Sequence, residues 1–108
     1  MKKIILFSLF SLALVTHLLA QNKPAVFYDA MDAYNSKEYI KASRLFEQFF
    51  EGYDLKDELY STAKYYAADS YLNIGERDAA SAGFEFLINN FHWSNFRDKS
   101  LYKLGLIY

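Results

Sequence analysis

Paired carboxylates are the first chemistry this sequence offers. Asp57 and Glu58 are adjacent, while Asp29 and Asp32 lie about one helical turn apart, and two such acids can in principle share acid and base duties across a glycosidic bond. That work needs one carboxyl whose pKa is raised by its surroundings. Nothing near either pair would raise one, so solvated surface charge is the better reading. His92 is the only histidine after position 17, which rules out a His-pair metal site in that stretch. There is no cysteine, and with it go disulfides, thiolate metal sites and cysteine nucleophiles. The chain also lacks a phosphate-cradling glycine loop and a nucleophile elbow. No catalytic residue is assigned and no cofactor is expected. The densest aromatic run, Phe91-His92-Trp93-x-x-Phe96, can either stack a sugar or an aromatic side chain, or seal a junction between helices.

The segment from Met1 to Ala20 stands apart from whatever positions these groups. Lys2 and Lys3 precede an uncharged apolar run over residues 4–15, followed by a short exit ending at Ala20. This is the layout of an export signal, cleaved after Ala20. Leu18 occupies a position where a small residue is preferred, so an uncleaved anchor over residues 4–20 is the alternative, although it is short for a span. Gln21 stands where a lipid-carrying cysteine would have to be, which excludes a lipoprotein. The expected location is therefore periplasmic or at the cell envelope, with membrane contact only through the signal segment. Residues 21–108 carry net charge −3, with acids and bases interspersed. A nucleic acid partner is not expected, because binding a polyanion requires clustered Lys and Arg.

Beyond the leader the periodicity predicts helices throughout, an all-α domain over residues 21–108. Pro24 suits a first turn. Phe27, Ala30 and Tyr34 share one face of a first helix, and residues 35–37 make a polar turn. Tyr39, Ala42, Phe46, Phe49 and Phe50 recur at three- and four-residue steps in a second helix that Gly52 should end. A third helix is expected from residues 54–57 to Ile74, with Gly75 as its stop. A fourth spans residues 77–89, and a fifth, capped by Ser94 or Asn95, runs to Tyr108. The chain holds 10 Tyr and 10 Phe, of which only Phe7 and Phe10 belong to the leader. A domain without disulfides can build its core from such side chains.

The helices repeat. Ala42-x-x-x-Phe46 recurs further along as Ala80-x-x-x-Phe84, and Ala68-x-x-Tyr71, which Gly75 follows in the turn, recurs as Gly105-x-x-Tyr108 within Leu104-Gly105-x-x-Tyr108. This pattern resembles the tetratricopeptide repeat, in which Leu-Gly-x-x-Tyr on a leading helix is followed by Ala-x-x-x-Phe on its partner. The family period is about 34 residues, shorter than the step from Ala42 to Ala80, so the links here are longer. Asp54 and His92 stand where a closing proline is usual. Phe91-His92-x-Ser94 is similar to the aromatic-Pro-x-Ser links of exported bacterial tetratricopeptide proteins that act at the cell envelope. The resemblance implies antiparallel helix pairs stacked as a right-handed superhelical solenoid. Its repeats would cover about residues 24–53, 57–91 and 95–108, the last incomplete.

It also implies a function: a non-enzymatic scaffold that holds a protein or peptide on its concave face, lined by the leading helices. Superposing the copies gives Phe27, Tyr65 and Tyr102 as one row, Met31, Asp69 and Leu106 as a second, and Asn35 with Asn73 as a third. Tyr34, Asn35, Tyr65, Asp69, Asn73 and Tyr102 are the expected partner-binding residues, because tyrosine and asparagine can clamp an extended backbone. The fifth helix, ending on Leu106-Ile107-Tyr108, lacks a polar cap. That suggests an N-terminal fragment of a longer protein, or self-association through this stripe. Two other readings stay open: glycan binding, and a docking module for an enzyme whose catalytic domain lies beyond residue 108.

Overall fold

A computed structural model describes residues 23–108; the leader expected over residues 1–20 lies outside them. Among the described residues the chain forms five helices and no strand: α1 (Lys23–Asn35), α2 (Tyr39–Gly52), α3 (Glu58–Asn73), α4 (Arg77–Asn90) and α5 (Arg97–Ile107). Each packs on the next in sequence. The contacts run antiparallel. Phe27 at the start of α1 meets Phe49 near the end of α2, whereas Tyr34 meets Tyr39 at the other end. Likewise Phe50 meets Tyr60 between α2 and α3, and Tyr65 meets Phe84 between α3 and α4.

Two turns set these hairpins, and they are built alike. After α3, Gly75 adopts φ 82°, Gly75 N donates to Leu72 O at 3.2 Å and Glu76 N donates to Tyr71 O at 2.9 Å. This is a Schellman closure, which places a left-handed residue just past the helix. After α1 the same bonds recur, Lys37 N to Tyr34 O and Glu38 N to Ala33 O, both 2.9 Å. The left-handed residue here is Lys37, at φ 61°. A side chain in this conformation costs about 1 kcal/mol more than glycine.

α3 starts where its acids predict. Asp57 is the N-cap, its Oδ1 accepting from Tyr60 N at 3.1 Å and its Oδ2 from Tyr53 Oη at 2.6 Å. Pro24 falls in the first turn of an α1 that begins at Lys23, and Gly52 is the last residue of α2, with Tyr53 extended behind it, both as expected. The start of α5 differs. α5 is capped by Phe96, without a side-chain bond. Ser94 instead shapes the turn before it, accepting at Oγ from Phe96 N at 3.1 Å and bonding Ser61 Oγ at 2.6 Å. Because Ser61 lies buried on α3, this bond ties the α4–α5 link to the middle of the molecule.

The core falls into two clusters on either side of α3. Ala63 and Ala67 join Phe27, Ala30, Ala42, Phe46 and Phe49 of the first pair. Tyr60, Tyr65 and Ala68 join Ala80, Phe84, Leu87 and Phe91 of the second. Phe46, Phe49 and Phe84 are fully buried, each stabilising by about 1.5–3 kcal/mol through area removed from water. α3 and α4 approach closely at Ala68 and Gly83: a Cβ on Gly83 would stand 2.9 Å from that of Ala68. Ala68 and Ala80 are both buried in this cluster, but Gly83 is the residue on which the α3–α4 spacing depends.

Candidate functional site

The six residues expected to bind a partner lie on α1, α3 and α5, and the structure gathers several of them around one carboxylate. Asp69 is 4% exposed on α3. Tyr34 Oη, from α1, donates to its Oδ2 at 2.6 Å. Lys103 Nζ, from α5, stands 2.9 Å from its Oδ1. Asn73 Nδ2 donates to Asp69 O at 2.8 Å and reaches Oδ2 at 3.4 Å. One buried acid thus links three alternate helices that share no turn. A charge buried to this degree is tolerable only when paired and hydrogen-bonded, and each of these groups supplies part of that compensation.

The ionisation of the neighbours follows from the same geometry. Burial raises the Tyr34 hydroxyl far above its ordinary value, and the hydrogen bond to Asp69 and the charge of that carboxylate push it the same way. The phenol stays a neutral donor. Burial alone would lower Lys103, but its bond to Asp69 and the carboxylate charge outweigh this, so the ammonium is held above the usual lysine value. Tyr65 is raised by burial, against the opposing charge of Lys103. At neutral pH Lys103 is therefore an ammonium, and the Tyr34 and Tyr65 phenols are neutral. The bonds of the cluster join α1, α3 and α5.

Surface and interior divide the expected residues. Tyr65 is 7% exposed, stacked on Phe96 with centroids 4.8 Å apart and tilted against Phe84 at 5.8 Å. Phe27, its equivalent one repeat earlier, is likewise buried, against Phe46 and Phe49. Tyr65 and Asp69 therefore lie inside the helix stack and not on an open face: the row through Phe27 and Tyr65 points at the partner helix of each pair, while Asp69 is covered by Tyr34 of α1 and Lys103 of α5. Tyr102, the third member of that row, is 66% exposed. Asn35 and Asn73 are exposed and Tyr34 is half-buried. The open part of the expected site is thus Asn35, Asn73 and Tyr102, with an edge of Tyr34.

Sequence reasoning misses Lys103. Its only signal is a lysine one position after Tyr102, on a helix whose other polar residues read as solvated. The remaining candidates resolve simply. Asp29, Asp32 and Glu58 are exposed, and Asp57 is the α3 cap. The aromatic run splits, with Phe91 buried, Phe96 packed on Tyr65, and His92 and Trp93 outward. No protein-family model matches the chain, and comparison with curated proteins and with solved structures gives no significant match.

Proposed function

We propose that this chain is a non-enzymatic scaffold of tetratricopeptide type, exported to the bacterial cell envelope, which holds a protein or peptide against its leading helices α1, α3 and α5. The observation that carries the reading is the Asp69 junction, which fixes these three helices to one another through Tyr34 and Lys103. A binding surface formed from separate helices needs such rigid spacing, since loose elements would have to be ordered on binding. On this reading Asn35 and Asn73, equivalent positions of successive repeats and both exposed, face the partner at successive steps of a right-handed solenoid, Asn35 with its whole amide and Asn73, whose Nδ2 is held by Asp69, with its Oδ1. Tyr102 adds an exposed aromatic anchor.

The test is capture of envelope proteins by the full chain, followed by crosslinking and peptide mapping. Asn35→Ala, Asn73→Ala and Tyr102→Ala should each weaken capture, while Leu55→Ala, an exposed apolar side chain on the α2–α3 link and outside the leading helices, should not. Equal capture by all four variants would remove the leading-helix surface from consideration. A second reading, glycan binding, is favoured by Trp93, which is 56% exposed and braced edge-on against Phe91. An oligosaccharide array, probed with the chain and with Trp93→Ala, separates the two.

A further inference from the structure

A groove that none of these residues lines lies between the two Schellman turns. It has a volume of about 610 Å³ and is formed by the first half of α2, the turn before it and Ile74 behind α3. Its apolar wall is Ile40, Leu45 and Ile74, and Ile40 is 57% exposed although large and aliphatic. Three cations border it, Lys37, Lys41 and Arg44, against a single acid, Glu38. Lys41 Nζ is 4.0 Å from that acid, which leaves Lys37 and Arg44 without a carboxylate of their own among the residues lining the groove. This is a positive site on a segment whose net charge is −3.

Lys37 also marks the place. It occupies the left-handed position that Gly75 fills one repeat later. Glycine would meet the turn without strain. With lysine there, the turn instead carries a cation at the groove mouth.

We infer that this groove is a docking site for a segment of another protein in which aliphatic side chains alternate with carboxylates. An aliphatic side chain would cover Ile40 and Ile74, and flanking acids would meet Lys37 and Arg44. Apolar burial gives such a contact its strength, while the charges select an acidic partner and speed its arrival. The inference does not rest on the leading-helix reading, since it uses α2 and the turns.

The probe is a fluorescein-labelled hexapeptide alternating aspartate and leucine, titrated into the full chain, with a lysine–leucine peptide as control. The acidic peptide should bind and the basic one should not, and binding should weaken as ionic strength rises. Arg44→Glu and Ile40→Asp, both at exposed positions, should each lower affinity about tenfold, the first by reversing a charge and the second by removing an apolar contact. Asn73→Ala and Tyr102→Ala should leave it unchanged, so this site and the leading-helix surface fail separately. Equal binding of the two peptides, or unchanged affinity in both groove variants, would overturn the inference. So would concentration-dependent association of the chain abolished by Leu55→Asp. Leu55 is 62% exposed beside Asp54, and that outcome would make the occupant a second copy.

Discussion

Replacing Lys103 by methionine tests whether Asp69 holds the stack together. The substitution keeps the aliphatic stem and removes only the ammonium that stands 2.9 Å from Asp69 Oδ1. Breaking a fully buried pair by removing one partner costs about 3–5 kcal/mol, because the surviving charge is left uncompensated. Two features of this site lower that figure. The Lys103 side chain is 26% exposed, so water already screens the pair in part, and Tyr34 and Asn73 continue to donate to the carboxylate. A cost of about 2–3 kcal/mol remains, which for a domain of this size lowers Tm by roughly 10–20 °C. Thermal unfolding of the chain, Lys103→Met, Asp69→Asn and the double variant completes a cycle whose coupling should be about 1–2 kcal/mol. Hydrogen exchange adds a spatial readout. Protection should fall first along Arg97–Ile107 (α5), whose other neighbour is α4. A cost below about 0.5 kcal/mol with no coupling is what an exposed pair gives, and it would refute the claim that this carboxylate joins the helices.

Other substitutions probe packing and ionisation. Gly83→Ala places a methyl 2.9 Å from Ala68 Cβ and should destabilise by about 1–3 kcal/mol through overpacking, read as a lower urea midpoint. Ser100 is fully buried and its Oγ has no partner among the described residues, so Ser100→Ala should raise stability by about 1 kcal/mol, the desolvation cost of an unsatisfied hydroxyl. Tyr53 and Tyr71 are both pushed up to about 12, the first mainly by its bond to Asp57 and the second mainly by burial. Because the folded chain keeps protons that the unfolded chain releases near pH 10, this stability is complete below about pH 10 and is lost as pH rises through about 12. Tyrosinate absorbance should therefore show a late step that shrinks in Tyr53→Phe and in Tyr71→Phe.

How far the sequence foretells this molecule depends on the distance over which its signals act. The helices and the turns between them are legible, because apolar spacing, Asp57 and Gly75 work within a few residues of the structure they create. Ala42/Phe46 and Ala80/Phe84 mark the core of each pair for the same reason. The site is less legible. Tyr65 and Asp69 repeat at the spacing of residues expected on an open face, and one helix of period 3.6 offers no sign of whether its second face is covered. Here α3 is covered on both sides. Tyr34 and Lys103 reach Asp69 from α1 and α5, and nothing local couples them.

Comparison of equivalent positions recovers some of what local reading misses. Gly75 and Lys37 share one backbone conformation and one hydrogen-bond pattern in the turns after α3 and α1. Where a repeat keeps a conformation but changes the residue best suited to it, the fold alone does not account for the side chain. Position 37 is such a case, and its lysine lines the cationic groove. The carboxylate at position 69 is a second case, since Met31 precedes it and Leu106 follows it at the same repeat position. A charge at a position that is apolar in both neighbouring copies calls for a partner that those copies lack. Lys103 is that partner, and Asp69 meets it because α3 lies between α1 and α5, each of which sends a side chain to it.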